Sequence, residues 1–246
     1  MITTLLFDFG STLDGPDYWL DRFAAQYCAA EMPITRMELD PAYAHARKAT
    51  ERAKRAVERF GFTELVRMLV GQQIEFLAEA GPAAIGAMLQ ALDARGRYRA
   101  VERITMLFVE DSRRGMERSR AVLAALKARY RIGVVSNWYG NLERIIAEAG
   151  MAKLVGAVAD SARLGFRKPD PRIFQAALKS LGAAPADSAM VGDSLEKDCA
   201  PAHALGLKTV WYHPVSGAGA VNANRAEYSS VDYTVANLEE LVELKL

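Results

Sequence analysis

The stretch TTLLFDFGSTLDG, residues 3–15, joins a short β-prone apolar run to one carboxylate and a Gly-Ser-Thr turn. The apolar run is typical of a buried strand, and it ends at Asp8. Ligands of open α/β sheets bind at the carboxyl ends of the strands, so an acid at this point is placed for chemistry. Two residues after Asp8, where a second carboxylate might assist, the chain has Gly10.

The composition excludes several classes of protein. The chain has 246 residues, of which 51% are hydrophobic and 25% charged, and its formal net charge is +1. These values are ordinary for a globular chain with a sizeable core, and they predict no nucleic-acid or membrane partner. Cys28 and Cys199 are too few for a disulfide framework, and the N-terminus has no signal-peptide pattern. We therefore expect a cytoplasmic protein, either a monomer or a homodimer.

After Ser119 the chain alternates between continuous apolar runs and helical patterns. Strands are predicted at 131–137, 154–160, 188–194 and 208–213, and helices at 141–150, 171–182, 197–206 and 237–244. This alternation predicts an α/β fold with a doubly wound, Rossmann-like parallel sheet covered on both faces. The following polar residues then fall at or near strand ends: Asp8, Ser136, Asp160 and Asp193. Residues 213–230, rich in glycine, alanine and asparagine, predict a mobile loop.

Residues from about 15 to 112 interrupt this alternation. Apolar residues recur at helical spacing from Tyr43 to Phe60, and the opposite face of that helix is charged. Further helical patterns cover residues 62–81 and 82–96. We therefore expect an all-helical insert directly after the first strand. The predicted domains are a core of residues 1–14 and 113–246, and a helical domain of residues 15–112.

The α/β part contains four motifs that can carry chemistry. They are Asp8 in FDFGSTL, Ser136 and Asn137 in IGVVSN, Lys168 in FRKPDPRIF, and Asp193 and Asp198 in VGDSLEKD. A carboxylate at a strand end can attack phosphorus, and two carboxylates with a backbone carbonyl can hold Mg²⁺. A hydroxyl and a lysine suit phosphoryl oxygens. Simpler structural roles also exist, since Ser136 could cap the next helix and Asp198 could favour a helix start.

The order and spacing of these motifs, with the helical insert after the first, resemble the haloacid dehalogenase superfamily in its branch with a helical cap. The resemblance covers essentially the whole chain. It implies that Asp8 is the nucleophile and forms an aspartyl-phosphate. It also implies that Ser136 and Asn137 bind phosphate, while Lys168 binds phosphate and keeps Asp8 ionised.

The same resemblance implies a magnesium site. Asp8, the backbone carbonyl of Gly10 and Asp193 would hold Mg²⁺. Asp198 matches the second acid of the last motif, so it would orient Lys168 or a metal-bound water. The substrate implied is a small phosphorylated metabolite.

Gly10 departs from the pattern of the superfamily. Most of its phosphatases have an aspartate there, which protonates the leaving oxygen and then activates water. A positioned acid/base contributes on the order of 10²–10⁴ in rate. One interpretation is a phosphatase whose substrate has a good leaving group, or whose proton comes from Asp14, Asp17, the cap or water. The alternatives are a 2-haloacid dehalogenase, which expels halide, and a non-catalytic relative that binds phosphate or a partner.

The last motif favours the magnesium-dependent phosphatase. Carbon–halogen cleavage uses no metal, and the dehalogenase branch is expected to lack the Gly192–Asp193 pair that this chain retains. A dehalogenase would also need an arginine for the substrate carboxylate shortly after Asp8; the chain has none there, although Arg22 could serve.

Overall fold

The computed structural model describes residues 1–214, 227–244 and 246. The chain divides into two compact units, Met1–Pro16 with Arg114–Leu246 and Asp17–Arg113. We call the first the core unit and the second the helical unit. The predicted domain boundaries, after residues 14 and 112, lie beside those of the two units. Most of the predicted loop at 213–230 lies outside the described residues.

The core unit contains a six-stranded sheet whose neighbouring strands are all parallel. The strands are β1 Thr4–Phe7, β2 Arg131–Ser136, β3 Ala157–Asp160, β4 Ser188–Gly192, β5 Lys208–Tyr212 and β6 Tyr233–Val235. Their order across the sheet is β3-β2-β1-β4-β5-β6, which confirms the predicted doubly wound α/β fold. The short edge strand β6 was not predicted, because only Val235 of its three residues is buried.

The register of the sheet aligns the strand ends that carry the predicted site. Phe7 pairs with both Val134 and Val191, so Asp8 emerges beside the ends of β2 and β4. All residues of β1 and β4 are buried, which explains why their sequences are continuous apolar runs instead of alternating ones. The chemistry-bearing residues therefore begin where this buried core ends.

All secondary structure of the helical unit is helical. The helices are α1 Trp19–Ala29, α2 Arg36–Arg52, α3 Lys54–Val57, α4 Phe62–Ala80, α5 Ala83–Ala91 and α6 Ala94–Leu126, the last of which continues into the core unit. Thr35 and Glu38 form a capping box that starts α2, and the helix predicted from Tyr43 to Phe60 is interrupted at Ala53. Within the described residues, none of the helices combines the length and apolarity needed to cross a bilayer.

Shorter helices connect the strands of the core unit. They are α7 Leu142–Glu148, α8 Ser161–Leu164, α9 Pro171–Leu181, α10 Ala200–Ala204 and α11 Glu240–Glu243, with a π-helical turn at Leu195–Cys199 and 3₁₀ turns at Pro185–Asp187 and Glu227–Ser230. The helix predicted at 197–206 is thus a π turn followed by α10. It begins earlier than predicted because the Ser194 side chain accepts a hydrogen bond from the N–H of Lys197.

Candidate active site

A buried lysine joins two of the predicted carboxylates. Lys168 Nζ lies 2.7 Å from Asp8 Oδ1 and 2.6 Å from Asp198 Oδ1. Burial by itself lowers the pKa of Lys168, but the Asp198 and Asp8 carboxylates outweigh burial and raise this pKa above its usual range. Lys168 is therefore a permanent ammonium ion at neutral pH, and its charge is shared between the two acids.

The two oxygens of Asp8 have different surroundings. Asp8 follows β1 directly, and its N–H donates to Val191 O at 2.9 Å. Its Oδ1 accepts hydrogen bonds from the N–H of Phe9 at 2.7 Å and from Ser136 Oγ at 2.8 Å, and it also faces Lys168. Within the described part of the chain, every polar contact of this carboxylate falls on Oδ1. Oδ2 consequently keeps its electron pairs for a ligand.

Three carboxylates meet at this point. One oxygen from each of Asp8, Asp193 and Asp198 lies within 4.8 Å of the others. Burial, followed by the charges of Asp8 and Asp198, raises the pKa of Asp193 well above its usual range. Burial also raises the pKa of Asp198 to about 6, although Lys168 opposes this shift. Closely spaced carboxylates that repel one another are a donor set suited to a hard divalent cation such as Mg²⁺.

Asp198 is held in place by the chain around it. It is fully buried, and its Oδ2 accepts the N–H of Ser194 at 3.0 Å while its Oδ1 faces Lys168. A Cβ built on Gly192 would lie 2.5 Å from Asp198 Cγ, so only glycine allows this approach. The geometry agrees with a residue that orients Lys168. Asp198 does not belong to the first turn of α10, because it lies in the preceding π turn.

Ser136 and Asn137 continue the site from the end of β2. Ser136 does not cap α7, whose N-cap residue is Asn141, and its hydroxyl is directed to Asp8. The Asn137 side chain uses both ends of its amide on the main chain of Lys168. Its Oδ1 accepts the Lys168 N–H at 2.7 Å, and its Nδ2 donates to the Lys168 carbonyl at 3.0 Å. This side chain therefore holds the main chain of Lys168, and the phosphate contact of Asn137 stays a prediction.

Sequence analysis placed Asp160 at a strand end but assigned it no function. Its carboxylate accepts hydrogen bonds from the N–H groups of Gly140, Leu142 and Ala162, at 2.9, 3.2 and 3.0 Å. The neighbouring Ser161 Oγ accepts the N–H of Trp138 at 3.0 Å and donates to its carbonyl. Burial raises the pKa of Asp160, and these N–H donors oppose the shift. Asp160 and Ser161 thus fasten the loop that follows Ser136.

In the turn after Asp8, three backbone N–H groups donate to one carbonyl oxygen. Phe9 O accepts the N–H groups of residues 12, 13 and 14, and Asp14 Oδ1 accepts the N–H of Ser11 at 2.7 Å. The positive φ of this turn, 64°, falls on Ser11, and Gly10 is not among the described residues with positive φ. Asp14 is fully buried, so its carboxylate serves the turn.

Asp17 and Arg22 belong to the helical unit. Arg22 is 4% exposed, and its Nε lies 3.0 Å from Asp111 Oδ2. Its guanidinium also donates to Ser112 Oγ and lies 4.6 Å from the centre of the Phe108 ring. The arginine that a dehalogenase would need for a substrate carboxylate is therefore engaged inside its own unit. Burial raises the pKa of Asp17, although nearby Arg22 opposes the shift.

A family model for haloacid dehalogenase-like hydrolases matches residues 2–206. The fold and the ordered carboxylate and lysine motifs agree with this match, and the chain belongs to the haloacid dehalogenase-like hydrolase family.

The sequence relatives of this chain include named phosphatases, and solved structures with the same fold include both phosphatases and dehalogenases. Phosphoserine phosphatase of Thermus thermophilus is 33% identical over 139 residues, which cover 54% of this chain and 56% of that relative. The chain thus spans about half of the length of this relative. A HAD phosphatase structure from Thermococcus onnurineus is 17% identical, with a TM-score of 0.54 and coverage of 98% of this chain and 97% of the other. An L-2-haloacid dehalogenase structure is 23% identical, with a TM-score of 0.57 and 99% coverage of both chains. The fold therefore does not choose between the two activities.

Proposed function

We propose that this protein is a Mg²⁺-dependent phosphatase that acts on a small phosphorylated metabolite through an aspartyl-phosphate on Asp8. The observation that carries the proposal is the buried Lys168, which bridges Asp8 and Asp198 beside a third carboxylate, Asp193. This arrangement provides a nucleophile, a fixed cation for phosphoryl oxygens and oxygen ligands for a metal. The helical unit takes the role of the cap, and the relative named phosphoserine phosphatase supports the same class of reaction.

Four site residues of the core unit divide the steps of this mechanism among them. Asp8 attacks phosphorus through Oδ2, the O–P bond to Asp8 forms, and the bond from phosphorus to the leaving oxygen breaks. Ser136 and Lys168 bind the phosphoryl oxygens, and Asn137 holds the main chain of Lys168. Water then hydrolyses the aspartyl-phosphate and releases inorganic phosphate.

Three oxygen donors of the site would hold a metal ion. Asp8, Asp193 and the Gly10 carbonyl would hold Mg²⁺, which supplies charge neutralisation for the transferred phosphoryl group. Asp198 does not need to be a ligand, because both of its oxygens are already engaged. It keeps Lys168 oriented toward Asp8.

Gly10 restricts the substrates that such an enzyme turns over well. Gly10 has no side chain to protonate the leaving oxygen, and Asp14 is buried within its turn. We infer that the preferred substrates have leaving groups that depart with little protonation, such as anomeric or acyl phosphates. The dehalogenase alternative is disfavoured by the carboxylate cluster and by the engaged Arg22. The one observation that favours a phosphate-binding, non-catalytic protein is Gly10 itself.

The test is a screen of phosphorylated metabolites and an aryl phosphate, with Mg²⁺ and with a chelator. We expect turnover only with Mg²⁺, and we expect Asp8→Asn to abolish it while phosphate binding persists. Asp170→Asn, which makes the same change at a half-buried helix cap, is the matched control and should keep wild-type turnover. Wild-type turnover in Asp8→Asn would falsify aspartyl-phosphate chemistry. A wild type that binds phosphate but releases no product would support the non-catalytic alternative.

A further inference from the structure

Trp211 reaches the proposed metal centre from a neighbouring strand. It lies on β5, where its partner across the parallel ladder is Gly192, the residue before Asp193. Its indole Nε1 donates a hydrogen bond of 2.9 Å to the main-chain carbonyl of Asp193. Trp211 is 5% exposed, so the donor of this hydrogen bond belongs to a buried side chain. No motif in the sequence indicates this contact.

The hydrogen bond restrains the main chain at the first residue beyond β4, where the ladder of the sheet has ended. Asp193 is the first residue after β4, so its carbonyl lies beyond the last strand residue. Its carboxylate is drawn close to those of Asp8 and Asp198, within 4.8 Å, and like charges at this separation repel one another. A fixed main chain limits how far the Asp193 side chain can move away from the other two acids.

The indole is itself held in place by the next residues of the chain. The His213 ring stacks on the Trp211 ring with centroids 4.3 Å apart and an interplanar angle of 18°. The N–H of His213 donates to the carbonyl of Val235 at 2.9 Å, which ties this residue to β6. Stacking on His213, which is itself bound to β6, therefore restrains the position of the indole N–H.

We propose that Trp211 is a positioning residue for the metal centre, because its N–H fixes the main chain of Asp193 with the carboxylate ready to bind Mg²⁺. This inference rests on the proposed function, in which Asp193 is a metal ligand. Ordering a ligand before binding removes part of the entropic cost of binding. The loss of one hydrogen bond corresponds to about a three- to tenfold loss of affinity.

Trp211→Phe tests the inference, because phenylalanine keeps an aromatic ring beside His213 and removes only the donor. Calorimetric titration with MgCl₂ alone should give a Kd about three- to tenfold above that of the wild type. The rise in Tm caused by Mg²⁺ should shrink accordingly. The matched control is Trp19→Phe, a buried tryptophan of the helical unit, which should leave the Kd for Mg²⁺ unchanged.

The outcomes separate this inference from the proposed function. A wild-type Kd in folded Trp211→Phe would show that the hydrogen bond does not position the metal ligand, while the phosphatase proposal would stand. A wild type that binds no Mg²⁺ would overturn both. If Trp211→Phe has no cooperative melt, His213→Ala provides the second test, since it keeps the donor but removes its support. An unchanged Kd in that variant would also overturn the inference, and a raised Kd would support it.

Discussion

Two buried aspartates at the same edge of the sheet are stabilised by different kinds of partner. Asp198, after β4, is fully buried and faces the ammonium of Lys168, whereas Asp160, at the end of β3, is 1% exposed and faces backbone N–H groups. Burial raises the pKa of both carboxyl groups. We call the surroundings of Asp198, Lys168 and Asp193 the metal side, and those of Asp160, Ser161 and Ser136 the loop side.

A lysine ammonium and backbone N–H groups both stabilise a buried carboxylate, but they suit different functions. The ammonium group of Lys168 can divide its charge between Asp198, Asp8 and an incoming phosphate, so the metal side can respond during a reaction. Backbone N–H groups that bind Asp160 cannot be shared in this way, since each one also fixes a residue of the loop after Ser136. The loop side is therefore suited to rigid positioning, and the metal side to chemistry.

Removal of the shared cation should produce the largest effect. Lys168→Met has a similar volume but leaves Asp8 and Asp198 without their counterion. Breaking a buried pair on one side costs about 3–5 kcal/mol, so the free energy of unfolding should fall by that amount. Turnover should fall below detection, because the phosphoryl oxygens lose their cation. Chemical denaturation and a phosphate-release assay measure the two effects.

Lys208→Met is the matched control for that variant. Lys208 Nζ lies 2.6 Å from Asp232 Oδ1, the same separation as between Lys168 and Asp198, but the Lys208 side chain is 52% exposed. Solvent screens this pair, so its loss should change the unfolding midpoint little and turnover not at all. Equal destabilisation by the two substitutions would contradict the role assigned to burial.

Gly192→Ala should disturb the metal side without removing any charge. The added methyl group would lie 2.5 Å from Asp198 Cγ, so Asp198 or the chain at Gly192 must move. Overpacking of this kind costs about 1–3 kcal/mol, and a misplacement of about 1 Å lowers rates by roughly 10²-fold. We expect a lower kcat with a smaller change in KM, measured by steady-state kinetics together with a thermal melt.

Gly71→Ala controls for the change from glycine to alanine. Nothing lies within 4 Å of a Cβ on Gly71, which is inside α4. Alanine in a helix interior is favoured by roughly 0.5–1 kcal/mol, so this variant should be slightly more stable and fully active. If Gly192→Ala kept the same kcat as Gly71→Ala, the close approach of Asp198 to Gly192 would not matter for catalysis.

The parts of the molecule that could be predicted from sequence are those encoded by periodicity and short motifs. Continuous apolar runs identified β1 and β4, because both strands are buried on both faces. The parallel register places Asp8 beside the ends of β2 and β4, and the connections that follow β3 and β4 bring Lys168 and Asp198 to it. A three-residue edge strand such as β6 gives too short a signal for this kind of analysis.

Hydrogen-bond partners were not predictable in the same way. Asn137 binds the main chain of Lys168, and Trp211 binds the carbonyl of Asp193, across 31 and 18 residues of sequence. Such pairs depend on the sheet register and on side-chain rotamers, which residue spacing does not contain. Sequence analysis therefore named Asn137 without the main-chain contact that its side chain makes, and it gave Trp211 no role.

Asp160→Asn should weaken the loop side by a moderate amount. The amide keeps one oxygen acceptor, but its NH₂ group faces a backbone N–H where the carboxylate had accepted. Hydrogen bonds to a charged group contribute about 1.5–3 kcal/mol, so a loss of roughly that size in unfolding free energy is expected. Because the loop positions Ser136, KM for the phosphorylated substrate should rise more than kcat falls. An unchanged KM in a destabilised variant would restrict Asp160 to a purely structural role.

Gly10→Asp should have the smallest effect on turnover. It tests protonation of the leaving group, which neither the metal side nor the loop side provides. The positive φ of this turn falls on Ser11, so Gly10 is not held in a conformation that excludes a side chain. A carboxyl group at this position can donate a proton to the leaving oxygen. The gain should be well below the factor of about 10²–10⁴ that a fully positioned acid provides, because nothing in the turn orients the new side chain.

The measurement is the ratio of kcat/KM for an alkyl phosphate to kcat/KM for an aryl phosphate, in the wild type and in Gly10→Asp. Alkyl oxygens need a proton to leave and aryl oxygens do not, so the ratio should rise severalfold while the aryl value stays nearly constant. Gly10→Asn, which has the same size but cannot donate as an acid, should leave the ratio unchanged. If folded Gly10→Asp also leaves the ratio unchanged, the proton already comes from another group. The first residue to test is then Asp17 of the helical unit, because burial raises its pKa. Asp17→Asn would remove that carboxyl group.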